Sequence, residues 1–387
     1  MISLASDTIT KEDILKLINW LSQKEIPKLT KGELTVELEK KWANKINTKY
    51  SVFVNSGSSA ILLTLAALKE SKKLNNLKIV VPSLSWATDV SSPLLLGYEV
   101  IMCDCNLNDL SCDLNHLESI FKKEKPSVFI LVSVLGLVPE MEKVIKLCEK
   151  YNVILLEDVC ESMGSKYKNE YLGSFGLASF YSMYFGHHIS TIEGGLINTN
   201  DESLYHLLLM MRSHGWDRDL PQFKKDELRN KYKCSEFDAL YNFYHLGFNL
   251  RSTDLQAFIG IHAIDKLDSY SNIRNKNFNL YNELLNFNEL KLTIRKEDFI
   301  SNMAMPFMHK NKNNIINALK SNKIETRPLI AGNMSKKPMW KNNSNDIVNC
   351  ELIDNYGFYL PNHQNLTEEN IRFISSVCIQ AILSTSF

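Results

Sequence analysis

The 387 residues carry no net charge, 44 lysines and arginines against 44 aspartates and glutamates. Without an excess of either sign there is no field to hold a nucleic-acid backbone or an anionic membrane, although a local basic pocket is compatible with the balance. The chain also lacks an apolar run long enough to span a bilayer. The longest, 128–138, is interrupted by Ser133 and Gly136. The N-terminal Met-Ile-Ser-Leu-Ala-Ser-Asp has neither a basic n-region nor an apolar h-region, which argues against a signal peptide and for a soluble, cytoplasmic protein. Metal-ligand spacing is missing as well. Of the eight cysteines only Cys103, Cys105 and Cys112 cluster. They match neither C-x2-C nor a ferredoxin pattern, and no metal site is expected. Their simplest reading is a strand over 98–104 and the loop after it, with reduced thiols throughout. No internal repeat and no low-complexity block is present.

What remains is an ordinary globular balance, 44% hydrophobic and 23% charged. At roughly 150 residues per domain the length suggests two or three domains. Short apolar runs at 51–54, 78–81, 99–103, 128–132 and 153–156 read as strands. Helical spacing at 58–68, 114–123 and 141–151 separates them. This alternation predicts a mostly parallel sheet covered on both faces. The stretch 235–285 reads as helical apart from a turn at Gly247. Beyond it, a strand at 303–308, helices at 312–321 and 367–383, and Arg327-Pro328 form a separate mix. The reading is a large α/β domain over 1–268 and a smaller C-terminal α/β domain over 269–387.

Four constellations carry chemistry. Asn55-Ser56-Gly57-Ser58-Ser59-Ala60 joins a strand to a helix, and its small residues, hydroxyls and helix N-terminus suit a phosphate. A plain serine N-cap would look the same, and no Gly-Lys-Ser/Thr follows to make a P-loop. Glu157-Asp158 ends a buried strand, where ligands of open α/β sheets bind. A carboxylate there suits a cationic ring nitrogen, or is a solvated loop acid. His187 and His188 are adjacent, so on an extended segment they face opposite sides. One is then free to act as an acid or base near neutral pH, unless both are structural. Arg218, Arg251 and Arg327 suit carboxylate or phosphate recognition, or ordinary surface ion pairs.

Taken in order, these strings resemble the DegT/DnrJ/EryC1/StrS family of sugar-modifying aminotransferases from Leu29-Thr30-Lys31-Gly32 to Asn362-His363-Gln364. The matching pieces are Ser56-Gly57-Ser58-Ser59, Pro82-Ser83-Leu84-Ser85-Trp86, Gly136-Leu137-Val138-Pro139-Glu140-Met141, Glu157-Asp158, Gly173-Ser174-Phe175-Gly176, Glu193-Gly194-Gly195 and Asn249-Leu250-Arg251. The resemblance implies the aspartate aminotransferase-type fold, pyridoxal phosphate fold type I. It also implies pyridoxal 5′-phosphate or pyridoxamine 5′-phosphate as cofactor. Gly57, Ser58, Ser59 and Ser182 would hold the cofactor phosphate, Asp158 the pyridinium nitrogen, Trp86 the ring face and Glu161 the ring hydroxyl. Asn249 would reach the phosphate site of a neighbouring subunit, which makes a homodimer the working unit. Arg218, Arg251 and Arg327 would meet the nucleotide diphosphate or the carboxylate of an amino donor.

One position departs from the family's aminotransferases. They carry a lysine that binds the cofactor covalently, six residues before the glutamate of Glu-Gly-Gly. Here that position is His187, and no lysine lies between Lys168 and Lys224. The His-His-Ile-x-Thr-x-Glu-Gly-Gly string and Glu161 are similar to the family's 3-dehydratases of nucleotide-linked 4-keto-6-deoxy sugars. The branch acting on CDP-sugars carries an iron–sulfur cluster in a longer chain, and the cysteines here do not fit it. The resemblance thus implies removal of the C3 hydroxyl from GDP-4-keto-6-deoxymannose, with glutamate as amino donor, in the deoxysugar biosynthesis that supplies lipopolysaccharide O-antigen. His187, with a pKa near the working pH, would act first as base and then as acid. A sugar-nucleotide 4-aminotransferase and a catalytically inactive cofactor-binding homologue are the alternatives.

Overall fold

The computed structural model describes residues 1–341 and 346–384. Within the expected C-terminal domain, 342–345 and 385–387 therefore lie outside the described residues. Nine strands occupy the first 200 residues: β1 (Tyr50–Val54), β2 (Lys78–Pro82), β3 (Glu99–Cys103), β4 (Val128–Val132), β5 (Ile154–Asp158), β6 (Lys166–Tyr167), β7 (Glu170–Tyr171), β8 (Ala178–Ser182) and β9 (Gly195–Thr199). Seven of them build one sheet in the order β1-β9-β8-β5-β4-β2-β3. The pairs from β8 through β5, β4 and β2 to β3 are parallel. Only β9 runs against its neighbours, β8 and β1. β6 and β7 pair in a small antiparallel ribbon with β10 (Asp298–Phe299).

The central strands read as continuous apolar runs because helices cover both faces. In β4 all five residues are buried, and each such Val, Leu or Phe contributes roughly 1.5–3 kcal/mol. The helix Gly57–Glu70 starts immediately after β1. Ser56 caps it, accepting the Ser59 N–H at 3.0 Å. Its small residues Gly57, Ala60 and Ala67 are buried, so its backbone lies close to the sheet. The helices Leu114–Glu124 and Met141–Tyr151 follow the predicted periodicity. Cys103 ends β3, and the loop beyond closes through an antiparallel backbone pairing of residues 105 and 112, whose thiols are free.

A second sheet, β11 (Ala304–Met308), β12 (Arg327–Pro328) and β13 (Gly357–Pro361), has the antiparallel order β11-β13-β12. The helices Lys312–Ser321 and Glu368–Leu383 pack on each other there. The helix Leu267–Leu284 also packs on Glu368–Leu383, and the expected boundary at 268 falls in its first turn.

The expected helical stretch 235–285 is only half helical. Helices occupy Asp254–Ile264 and Leu267–Leu284, whereas before Thr253 there is one short turn, Asp238–Tyr241, and otherwise irregular chain. The apolar residues of that first part, Phe237, Leu240, Tyr241, Phe243 and Leu246, are exposed. They form no buried stripe that would reward a helix. Backbone bridges from Ser213 to Asn249 and from Val54 to Arg251 hold the segment extended instead. Among the described residues no helix is long and apolar enough to cross a membrane.

Candidate active site at the carboxyl ends of the strands

β1, β5 and β8 point their carboxyl ends the same way. The register sets Val54 and Ser182 on either side of Gly195, with Asp158 opposite Phe180. A cleft of about 630 Å³ opens there. Gly57, Ser58 and Ser182 line one wall, Trp86 and Thr88 another, with Asp158, Glu161 and His187 between them. Glycine is needed where the walls meet. A Cβ on Gly195 would sit 2.2 Å from the Ser56 carbonyl oxygen and 2.5 Å from the Gly57 nitrogen. Backbone cannot yield as a flexible side chain does. Gly195→Ala is therefore expected to destabilise the fold by about 1–3 kcal/mol and to weaken anion binding at the turn, as chemical denaturation and phosphate-analogue titration would read.

The two acids that end β5 part company because successive strand residues face opposite ways. Glu157 turns into the protein and accepts three backbone N–H groups, from Gly173, Phe175 and Gly176, at 2.7–2.8 Å. Asp158 turns to the cleft, and its Oδ1 accepts the Cys160 N–H at 2.8 Å. Burial pushes the Asp158 carboxyl up, opposed by the Cys160 hydrogen bonds and by the neighbouring Asp89 side chain. Glu161 accepts the Leu135 N–H at 3.0 Å. It is partly open to the cleft yet removed from bulk solvent, and this desolvation lifts it to about 7.

The adjacent histidines separate although the segment carrying them is a series of turns rather than the extended strand expected. His187 reaches the cleft. Its Nδ1 lies 2.6 Å from the Cys160 carbonyl oxygen. A carbonyl only accepts, so Nδ1 carries the proton and Nε2 keeps the lone pair. Burial, reinforced by the Arg274 cation and opposed by the Cys160 contact, lowers its pKa to about 4. This corrects the expectation of an imidazole titrating near the working pH: the ring is a neutral base at pH 7. His188 is fully buried, its Nε2 2.7 Å from the Ser301 carbonyl oxygen and its Nδ1 unpartnered. It does not line the cleft.

Ser59 is also displaced from its expected place. Its N–H and hydroxyl both engage the Ser56 hydroxyl, each at 3.0 Å, so the helix cap uses it and it lines no part of the cleft. Thr88, 3.2 Å from the Ser58 hydroxyl, lines the cleft beside it and was not singled out in the sequence. Arg327 reaches the mouth of the cleft because β12 pairs with β13 and sets it opposite Tyr359. Arg218 and Arg251 do not line this cleft within one chain. They line a second one of about 970 Å³, with Lys31, Trp216 and Asp254. Stacking holds Arg218 there, its guanidinium carbon 3.7 Å from the Trp216 ring centre. Asn249 is exposed and lies outside the first cleft. Sequence reasoning also missed Ser3, Leu4 and Ala5, which close one side of the cleft. A bridge from Ile2 to Ile324 and a 3.0 Å hydrogen bond from the Leu4 N–H to Glu325 pin them, and nothing local signals either contact.

The residues fit a phosphorylated pyridine cofactor. A serine-rich helix start suits an anion, a buried carboxylate without a cationic partner suits a protonated ring nitrogen, and a half-exposed indole offers a face for stacking. No lysine of the described residues lines the cleft.

Comparison with known proteins agrees with this geometry. The model of the DegT/DnrJ/EryC1/StrS aminotransferase family matches residues 8–378. A GDP-4-keto-6-deoxy-D-mannose 3-dehydratase of Yersinia pseudotuberculosis is 33% identical over 362 residues, 90% of this chain and 91% of that protein. A solved structure of a GDP-4-keto-6-deoxymannose-3-dehydratase with a trapped PLP–glutamate geminal diamine superposes with a TM-score of 0.88 at 30% identity, covering 98% of this chain and all of that one. A variant of the same enzyme type with bound GDP-perosamine superposes at 0.87 with 29% identity, covering 98% and 100%. The mostly parallel seven-stranded sheet is accordingly that of pyridoxal phosphate fold type I.

Proposed function

Because the chain belongs to the DegT/DnrJ/EryC1/StrS aminotransferase family, we propose that it is a pyridoxal phosphate-dependent 3-dehydratase of a nucleotide-linked 4-keto-6-deoxyhexose, GDP-4-keto-6-deoxymannose, with glutamate as amino donor. The observation that carries this reading is His187, a neutral imidazole in a cleft that no lysine lines. Similarity to enzymes named for this reaction supports it.

Held in the cleft in its amino form, the cofactor would supply a primary amine for the sugar ketone and an electron sink. Gly57, Ser58, Ser182 and the helix N-terminus would hold its phosphate, Asp158 its ring nitrogen, Trp86 its ring face and Glu161 its ring hydroxyl. His187 Nε2 takes a proton, because Nδ1–H is committed to the Cys160 carbonyl. The low pKa that keeps the ring neutral also makes its protonated form a stronger acid than an ordinary imidazolium. It can therefore return the proton to the hydroxyl that leaves sugar C3. Arg327, exposed beside Tyr359 at the cleft mouth, suits a diphosphate or carboxylate. With no lysine of the described residues lining the cleft, release of the product would fall to water, with loss of ammonia, and glutamate would restore the amino form. A 4-aminotransferase would instead keep the nitrogen on the sugar. Isotope-labelled glutamate nitrogen, followed with a panel of 4-keto-6-deoxy nucleotide sugars, should appear as ammonium. Its retention on the sugar would overturn the reading. The cofactor itself should dialyse away from native protein, and a borohydride-trapped lysyl adduct at full occupancy would contradict the role given to His187.

The working unit in this reading is a cytoplasmic homodimer with shared sites. Its support is the exposed Asn249, whose family counterpart serves a neighbouring site, and the exposed aromatic residues Phe237, Tyr241 and Phe243 close by. Arg218 and Arg251, absent from their own chain's cleft, would serve the partner's. Asn249→Ala is expected to weaken cofactor binding severalfold with little change in unfolding temperature. A monodisperse, fully active monomer by light scattering would sink the shared site.

A further inference from the structure

Asp89 is fully buried at the first turn of the helix Ala87–Leu95, three residues after Trp86. One of its oxygens, Oδ2, accepts the Trp86 N–H at 3.1 Å, an ordinary helix-start contact. That contact explains half of the carboxyl. Its other oxygen, Oδ1, is buried with no hydrogen-bond partner. The ionisable side chain beside it is Asp158, each carboxyl acting on the other's titration. Two carboxylates have thus been taken out of water together, with Cys160 and Glu161 as the other titratable groups nearby. No lysine, arginine or histidine of the described residues pairs with either. A buried carboxylate pair without a cation holds one proton, since like charges in contact cannot both ionise at low cost.

We propose that Asp89 keeps its proton and donates it to the Asp158 carboxylate, so that the pair presents a single, oriented negative charge to the ring nitrogen of the cofactor. Asp89 is then a positioning residue acting through Asp158. The inference rests on the reading of the cleft as the cofactor site. The two carboxyls are unequal in the direction the proposal needs. Asp89 is fully enclosed, lines no part of the cleft and is pushed far up by burial and by the Asp158 charge, whereas Asp158 lines the cleft where a ring cation would favour its charged form. The Cys160 N–H on Asp158 Oδ1 also favours its anionic form. Without the donor, desolvation would lead Asp158 to take up a proton itself at neutral pH, and its pairing with a pyridinium cation would weaken.

Two variants and two readouts test this on the full-length protein, without reference to turnover. Pyridoxal phosphate binding to the wild type is measured first, and its failure would reject the cofactor reading rather than this inference. Infrared difference spectra of wild type minus Asp89→Asn at neutral pH should show the C=O stretch of a protonated carboxylic acid. Asp89→Asn, which keeps a donor of the same shape, should bind pyridoxal phosphate within about threefold of wild type. Asp89→Leu, which keeps the volume and removes the donor, should bind at least about tenfold more weakly at pH 7 and recover as the pH is raised. Recovery with pH is not expected of simple packing damage. An unchanged protonated-acid band in Asp89→Asn, equal losses in both variants, or a loss in Asp89→Leu that does not depend on pH would each overturn the proposal.

Discussion

His187→Asn is expected to lower product formation by about 10²–10⁴-fold, towards the upper end of that range, while the absorbance of bound cofactor survives. The substitution removes the Nε2 lone pair and with it both proton transfers. Ser58, Ser182 and Asp158 are untouched. His188→Asn is the control. That ring faces the Ser301 carbonyl and not the cleft, so the expected loss is in stability, about 1–3 kcal/mol for disturbing a buried hydrogen bond, with a much smaller change in kcat. An inactive His188 variant beside an active His187 variant would reverse the assignment. The pH profile adds a second check. His187, lowered to about 4, loses its base function only as the pH falls through that value, so no acid limb is expected at the ordinary histidine value of about 6.5. Glu161, raised to about 7, should give an inflection near neutrality that Glu161→Gln removes.

Asp158→Ala should have the other large effect, and it should act in opposite directions on binding and folding. Breaking one partner of a buried ion pair costs about 3–5 kcal/mol, so pyridoxal phosphate affinity should fall by about 10²-fold or more. The empty protein should gain. Asp158 is raised above its ordinary value by burial. The stability linked to such a group is fully present below its unfolded value and is lost as the pH rises through its folded one. At pH 7 the empty wild type carries that cost, and removal of the carboxyl relieves it. Equilibrium unfolding of cofactor-free protein should show Asp158→Ala at least as stable as wild type, with a flatter dependence on pH. A variant that loses stability while retaining cofactor affinity would show Asp158 to be structural.

The sheet was legible because burial on both faces writes itself into the sequence as unbroken apolar runs. β4 and the helix Met141–Tyr151 lie where periodicity places them. The cleft's serines and Asp158 were legible because each occupies a strand end or the turn after it, and His187 because it stands six residues before Glu193 in the family's pattern. The stretch before Thr253 misled because aromatic content resembles helical content when the apolar residues are in fact exposed. Ser59 lies outside the cleft because its N–H and hydroxyl are taken up by the Ser56 cap, and a capped helix start and a phosphate-binding turn have the same local sequence. Asp89, Thr88 and Ser3–Ala5 were invisible for a different reason. Their importance comes from partners far away in the chain, Asp158, Ser58 and Glu325. The second cleft, with Arg218 and Arg251, belongs to the same class: only the folded chain shows that these arginines line a different cleft from His187.

The oxygen content of the product distinguishes dehydration at C3 from amination at C4. Purified protein would be incubated with pyridoxal phosphate, glutamate and GDP-4-keto-6-deoxymannose, and the sugar nucleotide read by mass spectrometry and proton spectra. The account predicts a product one oxygen atom lighter than the substrate, with a methylene at C3, a ketone at C4 and no added nitrogen. A product that keeps its C3 hydroxyl and carries an amino group at C4 would contradict it.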